Sequence, residues 1–286
     1  MTADRIYQAS AGLRRYRVRV LVLCFVFGAV VGLGSVRRPY GPVESHEPVL
    51  PPAGAPAPAK TLKIATFNIH SGRGVKGDRN LARTAGVLRG TDVAGLNEVR
   101  GPSVLGTADQ AAELGARLGV AAVFGPSERR WYVTSFGNGL LSRFPVLSWR
   151  SRPLEAGRLG SYRAVLLAEI AAGAAKLRVL IAHPERGELR QDQLREIKVI
   201  FAAIGAPAVL LGDLNANFDD PALREIERLP GTSHVLSGKD SSPRGIDHIY
   251  AKGLTVRSAG MTATSVSDHP LVWAEVAVPG AGDLSE

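Results

Sequence analysis

The chain has 286 residues, 45% of them hydrophobic, with a formal net charge of +9. That length fits one large domain with added segments, and the hydrophobic share supplies a sizeable core. Residues 1–60 hold eight Lys/Arg against three Asp/Glu and the remainder 27 against 23, so the folded part is only mildly basic and charge gives weak support for a nucleic-acid partner. The single cysteine, Cys24, excludes an intrachain disulfide and with it a disulfide scaffold.

Val20 to Val36 is an uncharged, mostly apolar run of 17 residues. It reaches the lower limit for a membrane-spanning helix. Arg14, Arg15, Arg17 and Arg19 precede it, and Arg37 and Arg38 follow. The positive excess on the N-terminal side predicts a basic cytoplasmic segment over 1–19, a transmembrane helix over 20–36 and an extracytoplasmic remainder, that is, a single-pass protein of the cell membrane. A cleavable signal peptide, and so a secreted protein, is the rival reading, because Gly32 and Gly34 lie at a plausible cleavage spacing. The flanking arginines argue against a buried core helix. Residues 37–61 follow as a Pro-rich linker, with seven prolines between 39 and 59. At about 3.1 Å per residue such a spacer would hold a domain roughly 60 Å from the bilayer.

From Thr61 onward, short apolar runs alternate with helical patterns. Lys63–Asn68 alternates like a strand, and Leu81, Ala85 and Leu88 have helical spacing. Val93–Leu96 reads as a buried strand, and Ala111, Leu114 and Leu118 mark a helix. Strands are expected at Gly139–Leu141, Tyr162–Ile170 and Leu177–Ile181, and a helix over Leu189–Ile204. Further strands are expected at 208–212, 246–251, 254–260 and 271–278. Many strands with few helices, in mixed order, predict an α/β fold of two packed mixed sheets with helices outside.

Polar clusters stand at the ends of these strands. Asn68 closes the first strand, with His70 two residues on. Asn97-Glu98 follows Val93–Leu96, and His183 follows Leu177–Ala182. Asp213 and Asn215 follow Ala208–Leu211, while Asp247-His248 and Asp268-His269 complete the set. Taken singly, each is an ordinary turn, cap or structural histidine. Together the types are complementary. Glu98, Asp213 and Asp268 are hard oxygen ligands, Asn68 and Asn215 can orient a metal or a phosphate oxygen, His183 and His269 can donate to a phosphate, and Asp247 can fix an imidazole tautomer. No cysteine is near and no His-rich zinc spacing is present, so the inventory points to Mg²⁺, with Mn²⁺ possible.

This set resembles the endonuclease/exonuclease/phosphatase superfamily. The matching stretches are Thr66-Phe67-Asn68-Ile69-His70, Val93–Val99, Gly137–Pro145, Ala182-His183, Leu211–Ala216, Gly245–Ile249 and Ser267-Asp268-His269-Pro270, in the family's order. The chain departs from the usual pattern in having Asn97 where Gln is common, Ala182 where Thr is common, and Pro184-Glu185-Arg186 after His183. The resemblance implies a four-layer α/β sandwich over 62–279, with its site at one end of the sheets and a short tail at 280–286.

It also implies in-line attack of water on a phosphate ester by a Mg²⁺-dependent hydrolase. Asn68, Glu98 and Asp268 are then the metal residues. His183, Asp213, Asn215, Asp247 and His269 are catalytic, and His70 and Asn138 meet substrate. His248, facing away from Asp247 across the strand, is structural. Trp131-Tyr132 is expected to pack under a loop, and Arg129-Arg130 to be a solvated pair. The substrate is a phosphoester: a lipid head group, an envelope phosphoester or a sugar phosphate. A surface or secreted nuclease acting on DNA or RNA is the alternative, and a non-catalytic binding module is the alternative of another class. No protein partner is expected.

Overall fold

Apolar runs and their caps define the elements of the computed structural model, which describes residues 3–35, 38–54, 56, 60–102, 109–129, 135–155, 162–172, 175–236 and 245–278. Arg130, Trp131, Tyr132 and the 280–286 tail lie outside these residues. The chain begins with α1 (Ala3–Ser35), β1 (Arg38–Pro39), β2 (Val43–Ser45) and β3 (Thr61–Asn68). A 3₁₀ turn (His70–Gly72) leads to α2 (Leu81–Leu88), β4 (Val93–Arg100), α3 (Gln110–Leu118), β5 (Ala121–Arg129) and β6 (Phe136–Ser142). Then come β7 (Val146–Pro153), β8 (Ala164–Ala172), β9 (Ala175–Ala182), α4 (Arg190–Ala203) and β10 (Ala208–Asp213). The described chain finishes with α5 (Pro221–Glu227), β11 (Thr232–His234), β12 (Asp247–Lys252), β13 (Thr255–Thr262) and β14 (Leu271–Ala277).

The strands form two mixed seven-stranded sheets, ordered β1-β5-β6-β4-β3-β14-β13 and β11-β12-β10-β9-β8-β7-β2. The inner faces share one apolar core, with Ile64, Val93 and Leu140 from the first sheet against Leu166, Ile181 and Leu211 from the second. Gly95 permits a close approach there, since a Cβ would lie 3.0 Å from the Leu211 side chain. Outside the first sheet, α2 and α3 bury Leu88, Ala111 and Leu114 against Phe67 and Leu96. Outside the second, α4 and α5 bury Leu194, Ile197 and Leu223 against Leu180 and Leu210. Local chemistry sets the helix starts. Asn80, Asp109 and Asp220 each accept a backbone N–H in the first turn of α2, α3 and α5, and α3 stops at Gly119 in the left-handed region.

Two N-terminal expectations need correction. Among the described residues no helix is long and apolar enough to cross a membrane. Sixteen residues of the uncharged run lie within α1, from Val20 to Ser35, about 24 Å of helix against a hydrocarbon core of about 30 Å. The Pro-rich segment is not an extended spacer either. Arg38 and Pro39 pair with Arg129 and Glu128 on β5, and Val43–Ser45 pairs with Ser151–Trp149 on β7. Val49 then bridges to Val146. Prolines serve well here because an edge strand needs backbone donors on one side only.

The sequence pattern also misses β5 and β7. Pro126 lies inside β5, and the strand continues past it through a register shift between Pro126 and Glu128.

Candidate active site

The site forms where strand ends from both sheets meet. β3 and β4 run parallel and end together, pairing Asn68 with Asn97. β10 and β12 are antiparallel, which sets Asp213 directly opposite Asp247. The segment before β14 brings Ser267, Asp268 and His269 to the same end. Ser267 Oγ donates to the Asn68 carbonyl at 2.7 Å and accepts from the His269 N–H at 3.2 Å.

Asn68 joins the sheets through its side chain. Its Oδ1 accepts from the His70 N–H at 3.0 Å, so the amino group faces the acids, 3.0 Å from Asp213 Oδ2 and 3.3 Å from Glu98 Oε1. In this arrangement Asn68 orients carboxylates with its amino group while its oxygen accepts from the backbone.

Asp213 is fully buried. Burial raises its pKa, and the Asp247 charge raises it further; His269, Asn68 and the Asn215 N–H pull it down. His269 Nδ1 lies 2.8 Å from Asp247 Oδ2, and its Nε2 lies 3.6 Å from Asp213 Oδ2. Burial lowers the His269 pKa, but the hydrogen bond and charge of Asp247, with Asp213 and Asp268, outweigh it and hold the imidazole above its ordinary value. His183 Nε2 is also 3.6 Å from Asp213 Oδ2. Burial and Arg163 drive its pKa well below 6.5, so it is neutral.

Arg163 gave no sequence signal: one arginine before a strand is indistinguishable from a surface residue. Its Nη1 lies 2.9 Å from His183 Nδ1. The geometry makes Nδ1 an acceptor and leaves the His183 Nε2–H for Asp213. Burial lowers the Arg163 pKa against the opposing charges of Glu98, Asp213, Glu185 and Glu128. Its Nε is buried with no hydrogen-bond partner among the described residues.

Asn97 compensates for its short amide. It accepts from the Asp213 N–H at 2.8 Å and donates to Asn138 Oδ1 at 2.9 Å and the Ala182 carbonyl at 3.1 Å. Asn138, expected to meet substrate, is buried; its amino group donates to the Ala164 carbonyl at 2.8 Å. Both asparagines therefore stitch the two sheets under the cleft. Asn215 donates to the Pro184 carbonyl at 2.8 Å and accepts from Arg186 Nε at 2.9 Å. Arg186, part of the departure after His183, thus fixes the amide of Asn215. His70 and Asp268 sit at the rim, 3.4 Å apart and each more than a third exposed.

His70, Ser71, Glu98 and Asn215 are the non-glycine residues with positive φ among those described, at 46°, 56°, 58° and 50°. All four lie in or beside the cleft, and such backbone costs about 1–3 kcal/mol per residue.

The donor set fits a cation. Ligand atoms of Asp213, Asp247 and His269 all lie within 4.8 Å of one another, and Asn68 sets the Glu98 carboxylate next to them. Facing buried carboxylates repel, and a divalent ion relieves that repulsion.

The fold is shared with solved structures. The solved structure of an endonuclease/exonuclease/phosphatase from Bacteroides vulgatus is similar at TM-score 0.64 and 17% identity, covering 77% of this chain and all of that one. A family protein from Leptotrichia buccalis is similar at TM-score 0.59 and 16% identity, covering 77% of this chain and all of that one. A mannosyl-6-phosphatase from Bacteroides thetaiotaomicron is similar at TM-score 0.60 and 14% identity, covering 76% and all of the respective chains. No curated protein matches the chain. The model of the Endonuclease/Exonuclease/phosphatase family matches residues 65–269, the stretch that carries every strand end of the cleft, and the chain belongs to that family.

Proposed function

We propose that this chain is a Mg²⁺- or Mn²⁺-dependent phosphodiesterase or phosphatase. The observation that carries the hydrolase reading is the placement of Asp213 Oδ2 3.6 Å from the imidazoles of both His183 and His269, beside Asn68 and Glu98.

Glu98 and Asp268, with Asn68 turning Glu98, are the residues we assign to the cation. Glu98 is part-exposed and stands beside the buried Asp213–Asp247–His269 group, whose ligand atoms lie within 4.8 Å of one another and also fit a cation. A bound divalent cation supplies positive charge against the phosphate. Asp213, whose pKa is raised, takes the proton of the attacking water better than an ordinary carboxylate would. His269, whose pKa the Asp247 hydrogen bond and charge raise against burial, donates to a phosphate oxygen as charge builds. Asn215, fixed by Arg186 and the Pro184 carbonyl, keeps one amide N–H for the same phosphate. His183 Nε2 faces Asp213 at 3.6 Å.

The full chain is assayed with Mg²⁺ on bis-p-nitrophenyl phosphate and p-nitrophenyl phosphate. Turnover that disappears with chelator and in Glu98→Ala is expected. Undiminished turnover in Glu98→Ala refutes the metal assignment, and no turnover on either ester refutes the hydrolase.

A further inference from the structure

The chain after His183 departs from the usual family pattern, and the departure sets a cation on the rim of the cleft. Two hydrogen bonds pin its backbone. The Pro184 carbonyl accepts from Asn215 Nδ2 at 2.8 Å, and the Glu185 N–H donates to Gln193 Oε1 at 2.8 Å. Gln193 is buried in α4, and its amino group donates to the Glu155 carbonyl at 2.7 Å. Arg186 follows, exposed, with its Nε donating to Asn215 Oδ1 at 2.9 Å. That bond leaves the N–H groups of both terminal nitrogens over. Among the described residues no carboxylate pairs with them. Arg190 makes the contrast, since the Asn215 carbonyl at 3.2 Å and Asp220 at 3.8 Å occupy its terminal nitrogens.

The cleft is therefore polarised across the two sheets. Glu98 and Asp268, assigned to the cation, come from elements of the first sheet, and His183, Asn215 and Arg186 follow strands of the second. The Arg186 charge reaches His183, where it adds to burial, Arg163 and His269 in lowering the imidazole pKa. Arg186 and the remaining amide N–H of Asn215 belong to one hydrogen-bonded unit, so a phosphate that meets Asn215 has the guanidinium within reach of a further oxygen. A phosphate monoester offers three free oxygens and close to a double negative charge at pH 7. In a diester one of those oxygens carries carbon instead. It accepts weakly from a guanidinium and brings an apolar group against charge.

We propose that Arg186 is a specificity-determining residue: it binds the free oxygen that a phosphate monoester has and a diester lacks, and so sets this cleft to prefer monoesters. This deepens the hydrolase reading and rests on it. A planar fork already held at Nε presents its remaining N–H groups with little further loss of rotamer freedom, which suits two oxygens of one phosphate. Water attacks phosphorus, the bond to the single ester oxygen breaks, and that oxygen ends with a proton from the water, leaving an alcohol and inorganic phosphate.

The test compares kcat/KM of the full chain with Mg²⁺ on p-nitrophenyl phosphate and on bis-p-nitrophenyl phosphate, and adds inhibition by inorganic phosphate, which carries the same free oxygens. Arg186→Gln is expected to lower kcat/KM on the monoester about 100-fold, mostly through KM, because a charge-assisted pair is lost. The diester is expected to lose less than about tenfold, through the released Asn215 amide. The inhibition constant of inorganic phosphate is expected to rise about tenfold. Arg186→Lys keeps the charge and loses the Nε bond to Asn215, so both esters slow together and their ratio stays within about threefold of the parent's. Equal losses on the two esters in Arg186→Gln make Arg186 a support for Asn215 alone, which overturns the proposal and spares the hydrolase reading. Unchanged inhibition by inorganic phosphate does the same. No turnover of either ester by the parent chain overturns the hydrolase reading and this inference with it. The exposed position of residue 186 predicts parent-like melting of both variants, and a variant that unfolds shows that Arg186 serves the fold, which also overturns the proposal.

Discussion

His269 donates through Nδ1 to Asp247 Oδ2 at 2.8 Å while its Nε2 faces Asp213 at 3.6 Å. One carboxylate thus fixes the imidazole, and the other shares the space where a phosphate is expected. Asp247 raises the His269 pKa. Replacing it as Asp247→Asn leaves the shape and removes the charge. The imidazolium then loses its proton at lower pH, so the alkaline limb of the pH–rate profile moves to lower pH, and turnover falls by about 10²–10⁴-fold. Profiles of parent and variant on bis-p-nitrophenyl phosphate check this; an unmoved alkaline limb contradicts the assignment.

Arg163 and His183 form a second coupled pair. Arg163 depresses the His183 pKa and offsets nearby carboxylate charge. In Arg163→Gln the His183 pKa rises toward 6.5, readable by NMR titration of the imidazole. Stability drops by about 3 kcal/mol because buried acids lose their counter-charge. Urea unfolding at pH 7 measures the second effect.

His234 and His248 give the fold an acid limit. The Leu236 N–H donates to His234 Nδ1 at 3.2 Å, His234 Nε2 donates to His248 Nδ1 at 3.2 Å, and His248 Nε2 donates to the Ala216 carbonyl at 2.8 Å. Every proton in this chain is placed, and both rings are neutral. Burial is the largest cause lowering their pKa values, to about 3 for His234 and about 4 for His248. Unfolded histidine binds a proton near 6.5, so the unfolded chain takes up more protons in acid. Stability is whole above pH 6.5 and falls as pH drops toward 4, by on the order of 3 kcal/mol for each ring. Urea midpoints at pH 7, 5.5 and 4.5 record the loss, and a His234→Phe/His248→Phe double variant is expected to flatten the slope while lowering stability at pH 7.

Gly212 precedes Asp213 at a point of backbone contact. A Cβ there would collide with the Ala182 carbonyl oxygen, which belongs to the strand end that carries His183. Gly212→Ala is expected to separate β9 from β10, costing more than 2 kcal/mol and most of the activity. Thermal melts and turnover at matched protein concentration test both, and a parent-like melt contradicts the close approach.

The sequence by itself determined which strand ends carry chemistry. Asn68, Glu98, His183, Asp213 and His269 each follow or precede an apolar run, and polarity at the end of a buried run is a local pattern. It also determined the layered α/β class, since periodicity and run length are local too. Only the tertiary structure decided who meets whom. Asn68 as a bridge between Glu98 and Asp213, Asn138 as a stitch under the cleft and Arg163 against His183 all depend on contacts between distant strands, which spacing along a chain does not encode. The N-terminal strap makes the same point. Seven prolines between 39 and 59 read as an isolated extended rod, yet extended backbone is equally suited to an edge strand, and it was the open edges of β5 and β7 that settled where the segment lies.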